Sequence, residues 1–316
     1  MTESPIVISN SRVRAEILPL GATLHRLQVP DVRMADGPAS WRDILLSRSD
    51  ISHNDTFQYG ATIGRFANRI ARSRIAIDGT EYPLDANEGV NQVHGGPVGF
   101  SDIPWRVIGC ADDKVELGLI SPDGDQGFPG TLTVTATFSL IENGVRVMFS
   151  ATTDKPTVLN LTTHPYFNLG GETIDDHRLQ VAASQFTPTT LDELPTGEIL
   201  PVAGTALDLR EPRLMRDVLA DLAATGLQRS GALNQNFVVD GTGLRVHVRV
   251  FGPDGLAVEI ASDAPGVQVY SLGNFGRRGL AVEPEDFPDA PNQPAFPSTV
   301  LRPGKTYSRT IEWRVI

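Results

Sequence analysis

The segment from Asn160 to Gly171 contains the side chain best suited to proton transfer. Its sequence, NLTTHPYFNLGG, sets one imidazole, His164, beside hydroxyls, amides and an aromatic pair. Pro165 lacks a backbone donor and biases His164 away from helical geometry, which favours an extended or turn conformation. A histidine fixed at a strand end can act as a general acid or base near neutral pH. A buried histidine that hydrogen-bonds to neighbouring hydroxyls fits the segment equally well.

A second histidine and one glutamate have comparable settings. His94 lies in a loop rich in amides and is followed by Gly95 and Gly96. Glu283 ends an apolar run and is fixed by the proline that follows, so its carboxylate can be rigid and partly buried. Spacing alone, however, favours an ordinary strand-end glutamate. No histidine pair has the HExxH spacing of a zinc hydrolase, and we expect no metal.

The remaining candidates for chemistry have simpler interpretations. His25 and His247 lie in alternating strands, which predicts positions on solvated faces. His177 follows two aspartates, and this pattern indicates a solvated charge cluster. Three acidic residues after the strand-end glutamate fall in a proline-rich loop and are also predicted to be solvated: Glu285, Asp286 and Asp289.

Composition excludes several classes of function. The 316-residue chain has a formal net charge of -11 and no lysine- or arginine-rich run, which argues against nucleic acid and anionic membranes as partners. Cys110 is the only cysteine, so no intrachain disulfide can form. The sequence has no secretory signal pattern and no run near the roughly 18 apolar residues of a membrane span, so a cytoplasmic location is expected. Phosphate-loop, dinucleotide-binding and nucleophile-elbow motifs are absent as well.

Alternation of polar and apolar residues predicts a fold built from strands. Between residues 131 and 153, threonines line one face of a strand and apolar side chains the other. Asp78-Gly79 predicts a hairpin, and Arg213 to Ala223 is the one stretch with helical periodicity. The run from Pro284 to Pro303 is predicted to be an extended loop over the sheets. The prediction is one all-β domain, residues 1–316, of two antiparallel sheets packed face to face.

Short motifs follow one another along the chain: GRFANRI at 64–70, HGG at 94–96, THPYFNL at 163–169, PGVQVY at 265–270, EP at 283–284, FPDA at 287–290, FPS at 296–298 and LRPGKTY at 301–307. Each motif is weak alone, but the ordered set extends over nearly the whole chain and is specific. This set resembles the pattern of the aldose 1-epimerase (galactose mutarotase) family. The resemblance implies a β-supersandwich that interconverts the α and β anomers of a free monosaccharide without a cofactor.

The resemblance also implies roles for the residues singled out above. Glu283 would remove the proton of the C1 hydroxyl, His164 would protonate the ring oxygen, and His94 would assist at that oxygen. This agrees with the chemistry, because opening a hemiacetal requires one base and one acid on either side of C1. An ionised Glu283 close to His164 is expected to favour the imidazolium. Sugar hydroxyls would be bound, or the catalytic groups oriented, by Asn68, Arg69 and Gln268.

Three features depart from the family's pattern. Asn234-Gln235-Asn236-Phe237 stands where the family usually has Asp-His-Asn-Phe, so Asn234 brings a group that both donates and accepts hydrogen bonds to an acidic sugar-binding position. The Asn234-Gln235 pair is therefore expected to influence which sugar is preferred. Thr163 replaces an asparagine, and the short segment between Gln268 and Glu283 predicts a more open cleft.

Three functions remain open at this point. The favoured reading is a mutarotase acting on a neutral monosaccharide, as a monomer or weak dimer. A hexose-6-phosphate 1-epimerase would need cations beside the cleft, for which Arg277 and Arg278 are the loose candidates. A carbohydrate-binding protein of the same fold would not need the combined set of His94, His164 and Glu283. An inverting glycosidase would normally use two carboxylates, and no second candidate is evident.

Overall fold

The computed structural model describes residues 4–31, 40–47, 58–225, 232–273 and 276–316. Within these ranges the chain is almost entirely strand and loop. The first strands are β1 (Ile6–Ser9), β2 (Arg14–Leu18), β3 (Thr23–Pro30), β4 (Trp41–Asp43), β5 (Leu45–Leu46), β6 (Thr62–Ile63), β7 (Arg69–Ile70), β8 (Arg74–Ile77), β9 (Thr80–Pro83), β10 (Gln92–Val93), β11 (Arg106–Ala111), β12 (Lys114–Ser121), β13 (Leu132–Ile141) and β14 (Gly144–Thr153).

The second half of the chain continues in the same way and contains the helix α1 (Met215–Thr225). Its strands are β15 (Thr157–Val158), β16 (Thr162–Thr163), β17 (Tyr166–Phe167), β18 (Arg178–Val181), β19 (Gln185–Phe186), β20 (Leu200–Pro201), β21 (Arg213–Leu214), β22 (Asn234–Val238), β23 (Arg245–Phe251), β24 (Ala257–Ser262), β25 (Gly266–Tyr270), β26 (Leu280–Glu285), β27 (Val300–Leu301) and β28 (Tyr307–Val315).

Two large antiparallel sheets dominate the described part of the fold. The first, which we call the outer sheet, has the order β11-β12-β13-β14-β28-β24-β23-β18-β21. The second, the site sheet, has the order β20-β19-β22-β25-β26-β17-β5. Both sheets contribute to one continuous cluster of buried apolar side chains, with Phe138 and Trp313 from the outer sheet and Val269 and Val282 from the site sheet. The predicted class, large antiparallel sheets that enclose a core, is confirmed.

Local sequence patterns account for much of this architecture. In β13, Leu132, Val134, Ala136 and Phe138 are buried while the intervening threonines face outward, as predicted. The Asp78-Gly79 hairpin joins β8 to β9. The predicted helix lies at Met215–Thr225, two residues later than expected at each end. Among the described residues, no helix is long and apolar enough to cross a membrane.

The proline-rich tail differs from its prediction at the start. Pro284 lies inside β26, where it pairs with Val267, so the strand continues through Glu285 before the loop begins. A second short strand, β27, pairs with β15 further along the tail. The prediction of one extended loop is therefore wrong at these two places. A proline lacks its own backbone N–H, but the residues beside it in the chain can still pair with a neighbouring strand.

Candidate active site

Strand alternation places one row of polar residues on the face of the site sheet that points away from the core. In β26, Leu280 and Val282 belong to the apolar core, so Glu283 and Glu285 lie on the opposite face. The same alternation brings further side chains to that face: Gln268 and Tyr270 of β25, Asn234 and Asn236 of β22, and Tyr166 of β17. Gln268 is the register partner of Glu283. Glu283, Glu285 and Gln268 are buried even though they point away from the core.

Gln235 lies on the core side of β22 and does not line the site. Its side-chain amide donates to the backbone carbonyls of Thr187 at 2.6 Å and Asn236 at 3.0 Å. Asn234 does face the site, and its carbonyl oxygen accepts a 2.6 Å hydrogen bond from the Gln268 amide. Gln235 therefore lies outside the cavity, whereas Asn234 lines it, and the influence of this pair on sugar preference stays a prediction.

His164 is held between the short strands β16 and β17. Its backbone N–H donates to the carbonyl of Ala61 at 3.0 Å, and its carbonyl accepts from Gly60 at 2.8 Å. The ring stacks on Tyr166, with centroids 4.8 Å apart and planes inclined by 27°. Backbone and ring are thus both fixed, in the extended geometry that the following proline favours.

Asn68 and His94 hold each other through two hydrogen bonds. The His94 N–H donates to the Asn68 carbonyl at 3.1 Å, and the Asn68 N–H donates to Nδ1 of His94 at 3.2 Å. Because Nδ1 accepts a hydrogen bond, the neutral imidazole carries its proton on Nε2, the other ring nitrogen. His94 can therefore donate a hydrogen bond from Nε2 without being charged. Both residues adopt left-handed backbone angles, with φ of 66° and 52°.

The two arginines of the GRFANRI motif have different positions. Arg65 is buried and donates to the Ser121 hydroxyl at 2.8 Å and to backbone carbonyls in the loop 121–129. It therefore fixes a loop beneath the site. Arg69 reaches the site itself, where Glu88 binds it through both carboxylate oxygens, at 2.6 and 2.8 Å.

A cavity of about 300 Å³ brings all seven sequence-predicted site residues together. It is lined by Gln58, Asn68, Arg69, Glu88, Val93, His94, His164, Tyr166, Glu193, Asn234, Gln268, Tyr270 and Glu283. Six of these residues were not predicted from the sequence to belong to the site: Gln58, Glu88, Val93, Tyr166, Glu193 and Tyr270. Tyr270 could have been found, since it lies two residues from Gln268 on one strand face. A larger groove of about 780 Å³, lined by Arg42 and Asn168 among others, contains none of the seven.

The central contact of the cavity joins an imidazole and a carboxylate. Nε2 of His164 lies 3.3 Å from Oε1 of Glu283, and the two side chains are only 5% and 2% exposed. Burial raises the pKa of Glu283 well above its usual value, an effect that Arg69 opposes. Burial lowers the pKa of His164 to about 4, so the expected stabilisation of the imidazolium is outweighed by loss of solvent. The pair consequently carries a single proton over a wide range of pH.

The second histidine of the cavity is also neutral at pH 7. Burial lowers the pKa of His94 well below its usual value, and the nearby His164 and Arg69 lower it further. Ring centroids of the two histidines are 5.3 Å apart, edge to face. The candidate ligand atoms of His94, His164 and Glu283 all lie within 4.8 Å of one another. Two neutral imidazoles and a carboxylate are a donor set that zinc accepts, so the type of residue does not by itself exclude a metal.

Glu285 is buried, and the prediction of a solvated side chain is wrong. It has no exposed surface, and Oε1 accepts a 3.0 Å hydrogen bond from the side-chain amide of Asn68. Oε2 has no hydrogen-bond partner among the described residues. Burial raises the pKa of Glu285 well above its usual value, and the proximity of Glu283 raises it further. Glu285 thus supports Asn68 from below the cavity, as a carboxyl group that favours its protonated form.

The other acidic residues of this segment are also bound to the protein. Asp289 is buried and accepts hydrogen bonds from the backbone of Ala71 and from the side chains of Asn292 and Gln293. Asp286 forms a 2.8 Å ion pair with Arg309. Both therefore fix the loop that follows β26 rather than facing solvent.

Two histidines predicted on solvated surfaces are buried. His177 has no exposed surface, and its Nε2 accepts a 2.9 Å hydrogen bond from the backbone of Leu169. His247 is likewise buried, with Nε2 lying 3.0 Å from the carbonyl oxygen of Ser262. Neither contributes to the cavity, so both have structural roles.

The arginines considered as phosphate ligands lie outside the cavity. Arg277 forms a 3.0 Å ion pair with Asp175, and Arg278 lines the larger groove. Arg69 is the one arginine or lysine among the described residues of the cavity lining, and it is already bound by carboxylates. The site thus offers no cationic cluster for a phosphate group.

Comparison with known proteins agrees with this architecture. The aldose 1-epimerase family model matches residues 4–314. The chain is 36% identical to the aldose 1-epimerase of Escherichia coli (strain K12) over 331 residues, which cover 98% of this chain and 93% of that protein. It is 36% identical to the galactose mutarotase of Homo sapiens over 328 residues, which cover 96% and 91%.

Solved structures show the same fold. The GalM/aldose epimerase homologue from C. elegans aligns with a TM-score of 0.88 and 27% identity, covering 99% of this chain and 98% of that one. The galactose 1-epimerase from Lactobacillus acidophilus NCFM aligns with a TM-score of 0.82 and 27% identity, covering 99% and 94%. These neighbours confirm the predicted galactose mutarotase-like fold. The chain belongs to the aldose 1-epimerase family.

Proposed function

We propose that this protein is a mutarotase that interconverts the α and β anomers of a free monosaccharide by opening and closing the sugar ring. The observation that carries this proposal is the buried pair of His164 and Glu283, whose Nε2 and Oε1 lie 3.3 Å apart in a polar cavity. Ring opening needs one group that accepts a proton and one that donates a proton. A pair that holds one proton between two groups meets both requirements at once.

Each proton has a defined route in the proposed reaction. Glu283 removes the proton of the C1 hydroxyl, while His164 delivers its proton to the ring oxygen, and the bond between C1 and that oxygen breaks. The open-chain aldehyde rotates about the bond between C1 and C2 and closes on its other face, with the two groups in exchanged roles. A positioned acid or base contributes roughly 10²–10⁴ to the rate. The reacting form has the proton on His164, and it contains as many protons as the neutral pair that burial favours.

The other predicted residues have binding or orienting roles in this proposal. His94 donates a hydrogen bond from Nε2 to the ring oxygen, consistent with the protonation that Asn68 imposes on it. Asn68 and Arg69 bind sugar hydroxyls at the loop side of the cavity. Gln268 and Asn234, hydrogen-bonded to each other, bind hydroxyls at the sheet side. No step of the reaction requires a cofactor.

Two alternative functions are less well supported. A hexose 6-phosphate substrate is not favoured, because Arg69, the one lysine or arginine lining the described cavity, is bound by two carboxylates. A binding protein without catalysis would not need a buried acid and base to face each other beside a second imidazole. A monomer or weak dimer in the cytoplasm remains our expectation from the sequence.

Mutarotation of freshly dissolved sugars tests the proposal directly. Polarimetry or NMR exchange would be run on glucose, galactose, xylose, arabinose and fucose, with glucose 6-phosphate as a comparison and EDTA as a control for metal. We expect acceleration of at least one free aldose, unchanged by EDTA. Acceleration of none would favour the binding protein, and acceleration of the phosphorylated sugar alone would favour the phosphate enzyme.

A further inference from the structure

Glu193 is a carboxylate of the cavity that the acid–base chemistry does not use. It comes from the long loop between β19 and β20, and its Oε2 lies 2.8 Å from the Arg69 guanidinium. The structure records no hydrogen bond for Oε1 among the described residues. The side chain is 33% exposed and lines the cavity, so the carboxylate is anchored through Oε2 and remains partly accessible.

The backbone at Glu193 is held in a conformation that is costly for this residue. Its φ is 58°, in the left-handed region that favours glycine. The turn is closed by hydrogen bonds between Glu193 and Thr190 at 3.0 Å and between Thr190 and Leu194 at 2.8 Å. Backbone strain of this kind is found at ligand sites, and Asn68 and His94 of the same cavity also have positive φ. In this conformation the Glu193 carboxylate lies against Arg69.

Glu193 lines the same cavity as the acid–base pair and contacts Arg69 directly. Arg69 also lies near enough to Glu283 and His94 to lower the pKa values of both groups. A sugar whose C1 lies at the acid–base pair would bring its other hydroxyls to the rest of the lining, which includes Arg69 and Glu193. A guanidinium donates only and a carboxylate accepts only, so side by side they match two neighbouring hydroxyls.

The charge of this region also restricts what can bind. Arg69 is bound by Glu88 and Glu193, so the group of three carries one net negative charge. An anionic substituent near them would be repelled, and it could not displace Glu88 without breaking a bidentate ion pair. An uncharged hydroxyl would meet no such barrier.

We propose that Glu193 is a specificity-determining residue of the sugar site: with Arg69 it binds a pair of neighbouring hydroxyls remote from C1, and it excludes sugars that carry a carboxylate or phosphate. The inference rests on the proposed mutarotase function and extends it to the choice of substrate. Arg69 becomes half of a donor–acceptor pair, rather than a lone cation of the site.

Glu193→Gln tests the inference because it removes the charge and keeps the shape. Its kcat and KM would be measured for the preferred aldose, for its 2-, 3- and 4-deoxy analogues, and for the matching uronate. A hydrogen bond to a charged group is worth roughly tenfold or more in binding. We expect KM for the preferred aldose to rise about tenfold with kcat nearly unchanged. KM for the analogue that lacks the engaged hydroxyl should rise less. The ratio of uronate turnover to aldose turnover should be higher in the variant than in wild type.

Two further variants separate recognition from folding. Glu193→Gly deletes the side chain and relieves the left-handed strain, so its expected loss of discrimination cannot be attributed to a strained loop. Asp192→Asn removes a charge from the neighbouring exposed position and should leave the substrate profile unchanged. An equal change for every sugar and analogue, or a fall in kcat alone, would overturn the inference. Wild-type protein that accelerates no sugar would overturn the mutarotase function and this inference together.

Discussion

Nε2 of His164 and Oε1 of Glu283 lie 3.3 Å apart, on side chains that are almost completely removed from solvent. Burial disfavours the charged form of each group, so it shifts their pKa values in opposite directions. Below the lower of these values the pair holds two protons, and above the higher it holds none. Only the form with one proton contains both an acid and a base. The titration is best assigned to the pair rather than to either residue alone.

The dependence of kcat/KM on pH should therefore be bell-shaped. Activity should fall as pH decreases through about 4, where His164 is protonated and the pair takes up its second proton. It should also fall as pH rises through the raised pKa of Glu283, where the last proton is lost. Initial rates of mutarotation, corrected for the spontaneous reaction, would define both limbs. An acid limb near pH 6.5, where an unperturbed histidine titrates, would contradict the proposed effect of burial.

Glu285→Gln should make the protein more stable, most clearly at alkaline pH. The folded state raises the pKa of Glu285, so it binds a proton more tightly than the unfolded state does. Its contribution to the free energy of unfolding is therefore intact below the unfolded pKa and is lost as pH rises toward the folded value, by at most about 1.4 kcal/mol per pH unit. Glutamine removes this titration while its carbonyl keeps the hydrogen bond from Asn68.

Urea unfolding of this variant at pH 5 and pH 8 would test the expected sign. The gain over wild type should be larger at pH 8, and mutarotation should be retained. Glu172→Gln, at an exposed position, provides a control for loss of one surface charge. A variant that loses stability at pH 8 would indicate that Glu285 is ionised in the folded protein.

Gly95→Ala should disrupt the turn that presents His94. Gly95 has a φ of 87°, and an added Cβ would lie 1.9 Å from the carbonyl oxygen of Gly64. Gly79 has a similar φ of 81°, but a Cβ there would meet no atom within 4 Å. Gly79→Ala is thus a matched control that carries the backbone cost, about 1–2 kcal/mol, without the clash.

Thermal unfolding and mutarotation of the two alanine variants would separate these effects. We expect the change at position 95 to cost more free energy of unfolding than the change at position 79. It should also lower turnover by about tenfold or more, because a positioned acid or base contributes about 10²–10⁴ and the variant is expected to keep part of that contribution. Equal stability and turnover of the two variants would show that the turn tolerates a side chain.

Alternation within strands made part of the site predictable. It places Gln268 and Tyr270 on one face, and it also places Glu285 beside Glu283. The burial of Glu285 escaped the sequence analysis because the prolines around it suggested a loop, whereas β26 continues through Pro284. His247 escaped for a different reason. A register shift between Val246 and Val248 interrupts the regular alternation of β23, so its inward orientation cannot be inferred from periodicity.

Loop residues show the limit of local patterns more clearly. The family resemblance assigned Asn68 and Arg69 to the site, but residue type and spacing alone do not distinguish the structural Arg65 from Arg69. Glu193 lies in a stretch that is readable only as a loop, and its contact with Arg69 joins residues more than 100 positions apart. Such contacts depend on how the loops pack over the sheet, which neither propensity nor spacing specifies.

The rate of anomer exchange in Glu283→Gln tests the central claim most directly. The substitution keeps the shape of the side chain but removes the proton acceptor, so sugar binding should remain measurable by calorimetry. Saturation-transfer NMR on the preferred aldose should show exchange reduced by about 10²-fold or more relative to wild type, with a similar loss for His164→Asn. Full exchange by Glu283→Gln with unchanged sugar affinity would contradict the assignment of Glu283 as the catalytic base.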